Sequence, residues 1–339
     1  MILVRAPLRI SFVGGGTDIP AFYKRYPGRV ISTTIDKYVY LAINHTPLVD
    51  AVTARYSQTE TAAHPSKLEH ARIRALLLDM GIKKNIEIGS FASLPAKTGL
   101  GSSSSFSVAL VKGLHAFLGK RLDAAAAAEG ASRLEIELLN EPIGKQDQYA
   151  AAFGGLNFIQ FNTDGSVAVE PLLLDFRKRD AFDTSLLLFY TGLTRNASDV
   201  LTDQVARIDD KFEIYKELSE SALVFREYLL EGELKKIGSM LHDGWKKKKK
   251  LSTKVSNGTI NNLYDAGKGA GAWGGKVLGA GGGGCVLFMA PQESHAAIRA
   301  ALHREAKKAK LTDFREVPFS FTHAGTDILF NNSGHTTSL

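Results

Sequence analysis

The sequence predicts an α+β protein built as two lobes around a cleft, and three observations carry that expectation. Strand-like and helix-like segments are interspersed without the regular alternation of a parallel βαβ repeat. The 339 residues exceed the roughly 250–300 at which one hydrophobic core stops growing. The composition, 44% apolar and 23% charged, is that of a globular chain. A boundary near residue 180 then gives an N-terminal unit (1–180), a C-terminal unit (181–330) and a polar tail (331–339) expected to be disordered.

Taken in order, residues 2–4 and 9–13 are short runs of branched residues on either side of Pro7. Residues 30–34 and 38–44 repeat that character, and all four predict strands. Helical spacing follows over 65–80, with apolar residues at Leu68, Ile73 and Met80. Residues 85–90 alternate as a strand. Residues 102–118 form a helix whose first turn holds serines and whose end meets Gly119. An alanine-rich helix covers 124–139, and another covers 146–153, stopped by Gly154 and Gly155. The second half opens with strands at 156–161 and 186–191. A long charged helix spans 197–231, and a further helix spans 234–250. Strands at 276–278 and 285–289 flank a glycine bend; a helix over 294–310 and a strand at 316–320 follow.

Several function classes are excluded. No stretch approaches the ~18 consecutive apolar residues of a membrane span, and the first residues lack the pattern of a signal peptide. Cys285 is the only cysteine, so no intramolecular disulfide and no cysteine zinc cluster forms. A cytoplasmic location is expected. The net charge of +7 and pI near 9.3 suit anionic partners. Basic residues are spread among acids without an aromatic-interleaved stripe, which speaks against nucleic acid. Small phosphate-bearing ligands use the same positive field; no membrane partner is expected, and a homo-oligomer stays open.

The strongest local signal is Lys97-Thr98-Gly99-Leu100-Gly101-Ser102-Ser103-Ser104. Glycines permit tight turns and let backbone N–H groups approach a ligand. A helix beginning directly afterwards adds unpaired donors and a partial positive charge, an arrangement suited to phosphate. Serine hydroxyls can cap the helix, bind phosphate or ligate Mg²⁺. One cap needs one hydroxyl, so the run from Ser102 to Ser105 favours phosphate over capping alone. No Gly-Lys-Ser/Thr ends it, so it is not a Walker loop.

This run, read from Pro95, resembles the ATP-binding motif of the GHMP kinases. Two further segments resemble that family in the expected order: Arg5 to Asp18, with Gly14-Gly15-Gly16-Thr17-Asp18, and the glycine-rich stretch from Lys276 through Gly284. Lys97 departs from the family, which often has glycine there. The resemblance implies the two-lobed GHMP kinase fold, with a ribosomal-protein-like N-terminal domain and a ferredoxin-like C-terminal domain. It also implies ATP and Mg²⁺ as cofactors. Within the family the first segment is most similar to heptose 7-phosphate kinases, which phosphorylate the anomeric oxygen of D-glycero-D-manno-heptose 7-phosphate. Galactokinases carry Glu-His where this chain has Gly15-Gly16, and losing two side chains there opens room for a longer sugar.

The same resemblance assigns roles residue by residue. Asp147, in Gly144-Lys145-Gln146-Asp147-Gln148, matches the catalytic base or acceptor-orienting carboxylate. Arg9 matches the arginine that offsets transition-state charge. Glu135 and Ser103 match the Mg²⁺ ligands, and Gly14–Asp18 with Gly282 and Gly283 match the substrate site. Arg9 has independent support, because a lone charge between apolar strand residues is costly without a partner. In the lysine run 246–250 a solvated face is the default; on a helix one or two could still reach the cleft and meet a sugar phosphate. Cys285 is expected to be buried and structural. Another sugar kinase, of fucose or galactose type, is the alternative enzyme, and a silent sugar- or nucleotide-binding regulator the alternative outside catalysis.

Overall fold

Branched runs at the N-terminus build longer strands than their spacing suggests. The computed structural model describes residues 1–194 and 197–332. Its strands are β1 (Ile2–Val13), β2 (Gly28–His45), β3 (Val52–Arg55), β4 (Thr59–Ala62), β5 (Ile86–Ala92), β6 (Leu156–Phe161), β7 (Val167–Pro171), β8 (Leu186–Tyr190), β9 (Gly274–Val277), β10 (Cys285–Met289), β11 (Arg315–Glu316), β12 (Phe321–Thr322) and β13 (Asp327–Asn331). Its helices are α1 (Pro20–Tyr23), α2 (Ala71–Asp79), α3 (Ser102–Phe117), α4 (Ala124–Ser132), α5 (Gln146–Phe153), α6 (Phe176–Thr184), α7 (Ala197–Ala206), α8 (Phe212–Glu231), α9 (Leu234–Lys249), α10 (Gly258–Gly269) and α11 (His295–Lys308).

The four strands expected before residue 45 are two. Pro7 faces Tyr38 and Leu8 faces Ile35, so a bulge carries both strands past the proline without ending the ladder. One sheet runs β13-β1-β2-β5-β3-β4, with β6 also on β2 and β7 on β6. The second sheet, β11-β8-β10-β9, is antiparallel. Alternation along β8 and β10 supplies both of its faces. Leu186, Leu188, Cys285 and Leu287 join the core beneath the first sheet. Leu187, Phe189, Val286 and Phe288 pack with Ile260, Ile298 and Leu302 of α10 and α11. Cys285 is buried and free, and burial pushes its thiol up to about 12.

Other expectations need correction. The helix over 65–80 becomes a short 3-10 turn and α2, because His70 caps the N–H of Ile73 and starts the helix afresh. The helix over 197–231 breaks into α7 and α8. The strand over 316–320 shrinks to β11. β12 and β13 pair with β2 and β1, so residues 321–322 and 327–330, expected with the C-terminal unit, lie in the first sheet. Asn331 of the expected tail pairs with Ile2; residues 333–339 lie outside the described residues. No helix among the described residues is long and apolar enough to cross a membrane.

Candidate active site

A glycine turn ahead of a helix predicts exposed donors, and the fold supplies them at the meeting of the two sheets. Gly99 and Gly101 have φ of +80° and +76°, and α3 starts at Ser102. At Gly99 a side chain is also barred by contact, since a Cβ would lie 2.6 Å from the Leu278 carbonyl. The N–H of Cys285 donates to Thr98 O at 2.9 Å. The serine-rich loop and the C-terminal glycine segment therefore cross backbone to backbone. Lys97, where the resemblance expects glycine, holds φ of +64°, the region glycine adopts most easily. Its backbone holds a conformation that glycine adopts at least cost.

The residues at this crossing line a cavity of about 880 Å³. Lys97, Ser102, Ser103 and Ser104 face it. Thr98 and Leu100, expected at the nucleotide, are buried at 2% and 0% exposure and do not line it. Their part is to anchor the loop, since Leu100 O accepts the N–H of Arg9 at 3.0 Å. Ser105 is buried and donates to Pro7 O at 2.7 Å, fastening α3 to β1.

Arg9 and Asp147 meet in the cavity wall. The Arg9 guanidinium donates to both Asp147 oxygens, at 2.8 and 2.6 Å, and its third nitrogen donates to Gly99 O at 2.7 Å. The Arg9 side chain is 5% exposed and that of Asp147 24%. One planar cation thus ties the first turn of α5 to the glycine loop, a bidentate geometry in which the charge is paired and the cost of its burial offset. Each Asp147 oxygen keeps a second lone pair for a hydroxyl donor.

Glu135 sits on a π-helical segment, Arg133–Leu138, that continues α4. The expected single helix over 124–139 changes winding there, with the N–H of Leu139 donating to Leu134 O. The segment turns Glu135 fully inward toward α3. Ser104 and Ser107 donate to its carboxylate at 2.9 Å each, and Gln148 donates as well. Ser103 stands farther off, at 3.5 Å. Arg72 donates to Glu135 at 3.0 Å and to Glu141 at 2.7 Å. Among the described residues no group of three or more His, Cys, Asp or Glu forms a metal site. One carboxylate beside hydroxyls fits Mg²⁺, which commonly binds one or two carboxylates together with phosphate oxygens and waters. Glu135, Ser103 and Ser104 could hold the ion once Arg72 rests on Glu141 alone. Glu137, on the same segment, is exposed.

The segment Gly14–Asp18 divides. Gly15, Gly16 and Asp18 line the cavity, whereas Gly14 and Thr17 do not. A Cβ on Gly14 would meet Arg29 O at 1.8 Å, and the Thr17 hydroxyl bonds the Arg29 backbone on both sides. Space is open only at Gly15, where the nearest atoms to a Cβ are Ser11 Oγ at 3.9 Å and Gln146 Nε2 at 4.0 Å; at Gly16 a Cβ would press on Tyr215. Asp18 is 2% exposed and accepts from Gly16 N, Gln146 N and Gln146 Nε2. It is not a helix cap, because the cap of α1 is Ile19. Gly282 and Gly283 are also corrected. Gly282 N donates to Val255 O at 2.7 Å, and Gly283 packs on Leu193 O. The part of that bend facing the cavity is Gly279 and Ala280.

Other lining residues were missed by the sequence reading or left as one of several. Ser11 and Gln146 join Asp18 in one hydrogen-bonded row. Of the lysine run, Lys248 reaches the cavity, and Lys276 joins it from β9. Lys276 had a legible signal, a lone charge in the strand GGKV, the argument already applied to Arg9. The aromatic end had none: Tyr56, His70 and Phe106 come together from separate elements, with successive ring centroids 4.7 and 5.0 Å apart.

Known proteins share this arrangement of chain. The family model described as GHMP kinases N terminal domain matches residues 68–155, and that described as GHMP kinases C terminal matches 225–308. D-glycero-alpha-D-manno-heptose 7-phosphate kinase of Campylobacter jejuni is 28% identical, over 96% of this chain and 97% of its own length. A crystal structure of D-glycero-D-manno-heptose 1-phosphate kinase from Bacteroides thetaiotaomicron superposes with a TM-score of 0.79 at 26% identity, covering 98% of this chain and 100% of that one. Lactococcus lactis galactokinase, at 16% identity and a TM-score of 0.77 over 97% and 95% of the two chains, shares the fold.

Proposed function

The chain belongs to the GHMP kinases, as a sugar kinase that uses ATP and Mg²⁺, and on that premise we propose that it phosphorylates the anomeric hydroxyl of D-glycero-D-manno-heptose 7-phosphate to the 1,7-bisphosphate. The observation that carries the reading is the Arg9 bridge between Asp147 and Gly99. It sets an acceptor carboxylate against a phosphate loop, the two halves of a phosphoryl-transfer site. The names of the Campylobacter and Bacteroides relatives support a heptose phosphate as the acceptor.

In this reading the loop N–H groups of 99–104 and the positive end of α3 cradle the nucleotide's phosphates. The aromatic end at Tyr56, His70 and Phe106 receives the flat base by ring contact. Glu135, Ser103 and Ser104 would hold Mg²⁺, which would supply positive charge to the transferring group when bound. Asp147 accepts the proton of the acceptor hydroxyl and aims its oxygen at the γ-phosphorus, so that the new P–O bond forms as the bond to the β-phosphate oxygen breaks and ADP leaves. Arg9 fixes that carboxylate and, close to Gly99, offsets charge that builds on the phosphoryl oxygens. Asp18 and Gln146 face the sugar hydroxyls, and the space at Gly15 admits the longer carbon chain.

An ATP-consumption assay over a panel of sugars and sugar phosphates tests the substrate. Heptose 7-phosphate is expected to give the highest kcat/KM, and Asp147→Asn to lower its kcat by about 10²-fold or more. Turnover of free galactose or fucose without heptose 7-phosphate would overturn the acceptor, and full activity in Asp147→Asn would overturn the catalytic role.

A further inference from the structure

Among the described residues Lys248 and Lys276 are the two buried lysines. Lys246 and Lys247 point outward and pair with Asp243 and Glu217. Lys248 and Lys276, only 9% and 7% exposed, turn into the cavity. Their partners are carbonyls: Lys248 donates to Gly279 O, and Lys276 to Phe12 O at 2.9 Å. An ammonium has three donors, so each keeps further N–H groups beyond its carbonyl. Among the described residues neither makes a salt bridge, and the adjacent Asp147 is taken on both oxygens by Arg9.

Burying two like charges without counter-charge is expensive. The strain registers in their protonation. Burial, and next repulsion from Arg9, push Lys248 down to about 8, against attraction from Asp147 and Asp18. Burial, Lys248 and Arg9 hold Lys276 well below the ordinary range. An anion with several oxygens, entering between them, would relieve that repulsion and use the free donors.

We propose that Lys248 and Lys276 form a built subsite for a phosphate group on the acceptor side of the cavity. It deepens the heptose phosphate reading and rests on it for the identity of the ligand. The chemistry has two possible sources, the phosphate the acceptor already carries and the γ-phosphoryl group in transfer.

Inorganic phosphate is the first probe, titrated calorimetrically into the ligand-free wild-type protein and into Lys248→Met and Lys276→Met. Wild type is expected to bind phosphate, and each variant to bind at least tenfold more weakly. Methionine keeps the volume and removes the repulsion, so each ligand-free variant should melt no lower than wild type. Should a variant fail to fold, acetylation of wild-type lysines read by mass spectrometry replaces it, with protection of Lys248 and Lys276 by phosphate expected. Kinetics then separate the sources. A rise of tenfold or more in KM for heptose 7-phosphate, larger than for unphosphorylated heptose, assigns the acceptor's phosphate. A fall in kcat alike for both acceptors assigns the γ-phosphoryl group. Unaltered phosphate binding in the variants, or no protection of either lysine, removes the subsite. Lysine-dependent phosphate binding without heptose 7-phosphate turnover would keep the subsite and remove only the substrate.

Discussion

Asp18 carries a titration the folded chain must accommodate. Burial raises its carboxyl to about 6 from 3.8; the Gln146 N–H pulls the other way and the charge of Asp147 adds to the rise. The folded state therefore holds this proton more tightly than the unfolded state. Its contribution favours folding at low pH and is lost as pH rises from about 4 through 6, by about 3 kcal/mol in all at about 1.4 kcal/mol per pH unit. Asp18→Asn removes the titration. Denaturant unfolding of both proteins should find the stability difference, wild type minus variant, falling by about that amount between pH 4 and pH 7. A difference flat across that range would mean Asp18 ionises in the fold as it does in water.

The elements that build the site are irregular where they meet it. The loop before α3 spends left-handed backbone at Lys97, Gly99 and Gly101, and two of those positions make opposite predictions. Lys97→Gly relieves a conformation that costs an L-residue about 1 kcal/mol, so the nucleotide-free protein should gain stability. Gly99→Ala meets both φ of +80° and the Leu278 carbonyl; it should lose more than about 1 kcal/mol and much of its nucleotide affinity. Thermal melts, with and without ATP, read both. The π-helical turn under Glu135 is the same kind of feature, since regular α winding through 133–138 would turn that carboxylate elsewhere.

At the scale of the whole molecule, the cavity draws on both sheets. Arg9 comes from β1 and Asp147 from α5, while Lys248, Lys276 and Gly279 come from α9, β9 and the bend after it. A ligand seated there ties the two halves together. ATP with Mg²⁺ at 100 times its Kd should stabilise the protein by about 2.7 kcal/mol, read as one melting transition moving up by several degrees. Chelating the metal with EDTA should shrink the shift, because in the proposed site Glu135 and the serines would then face the phosphates without the ion. Two separately moving transitions would show that the halves are not coupled through the cavity.

The loop motif, the need of Arg9 for a partner, the α+β class and the family could be read from residues in order, because each depends on local chemistry. Glycines are favoured where φ is positive, a helix must follow to present its donors, and a charge inside a strand must find a partner. Tertiary structure decided which neighbours face the ligand. Thr98 and Leu100 lie in the same motif as Ser102 yet turn inward, and Gly282 and Gly283 serve packing while Gly279 faces the cavity. Lys248 was one of five indistinguishable lysines until the rotation of α9 selected it. β13 returned to β1 across the length of the chain, and Arg72 reached Glu135 from another helix. Those outcomes rest on contacts between residues distant in sequence, and local spacing holds no record of them.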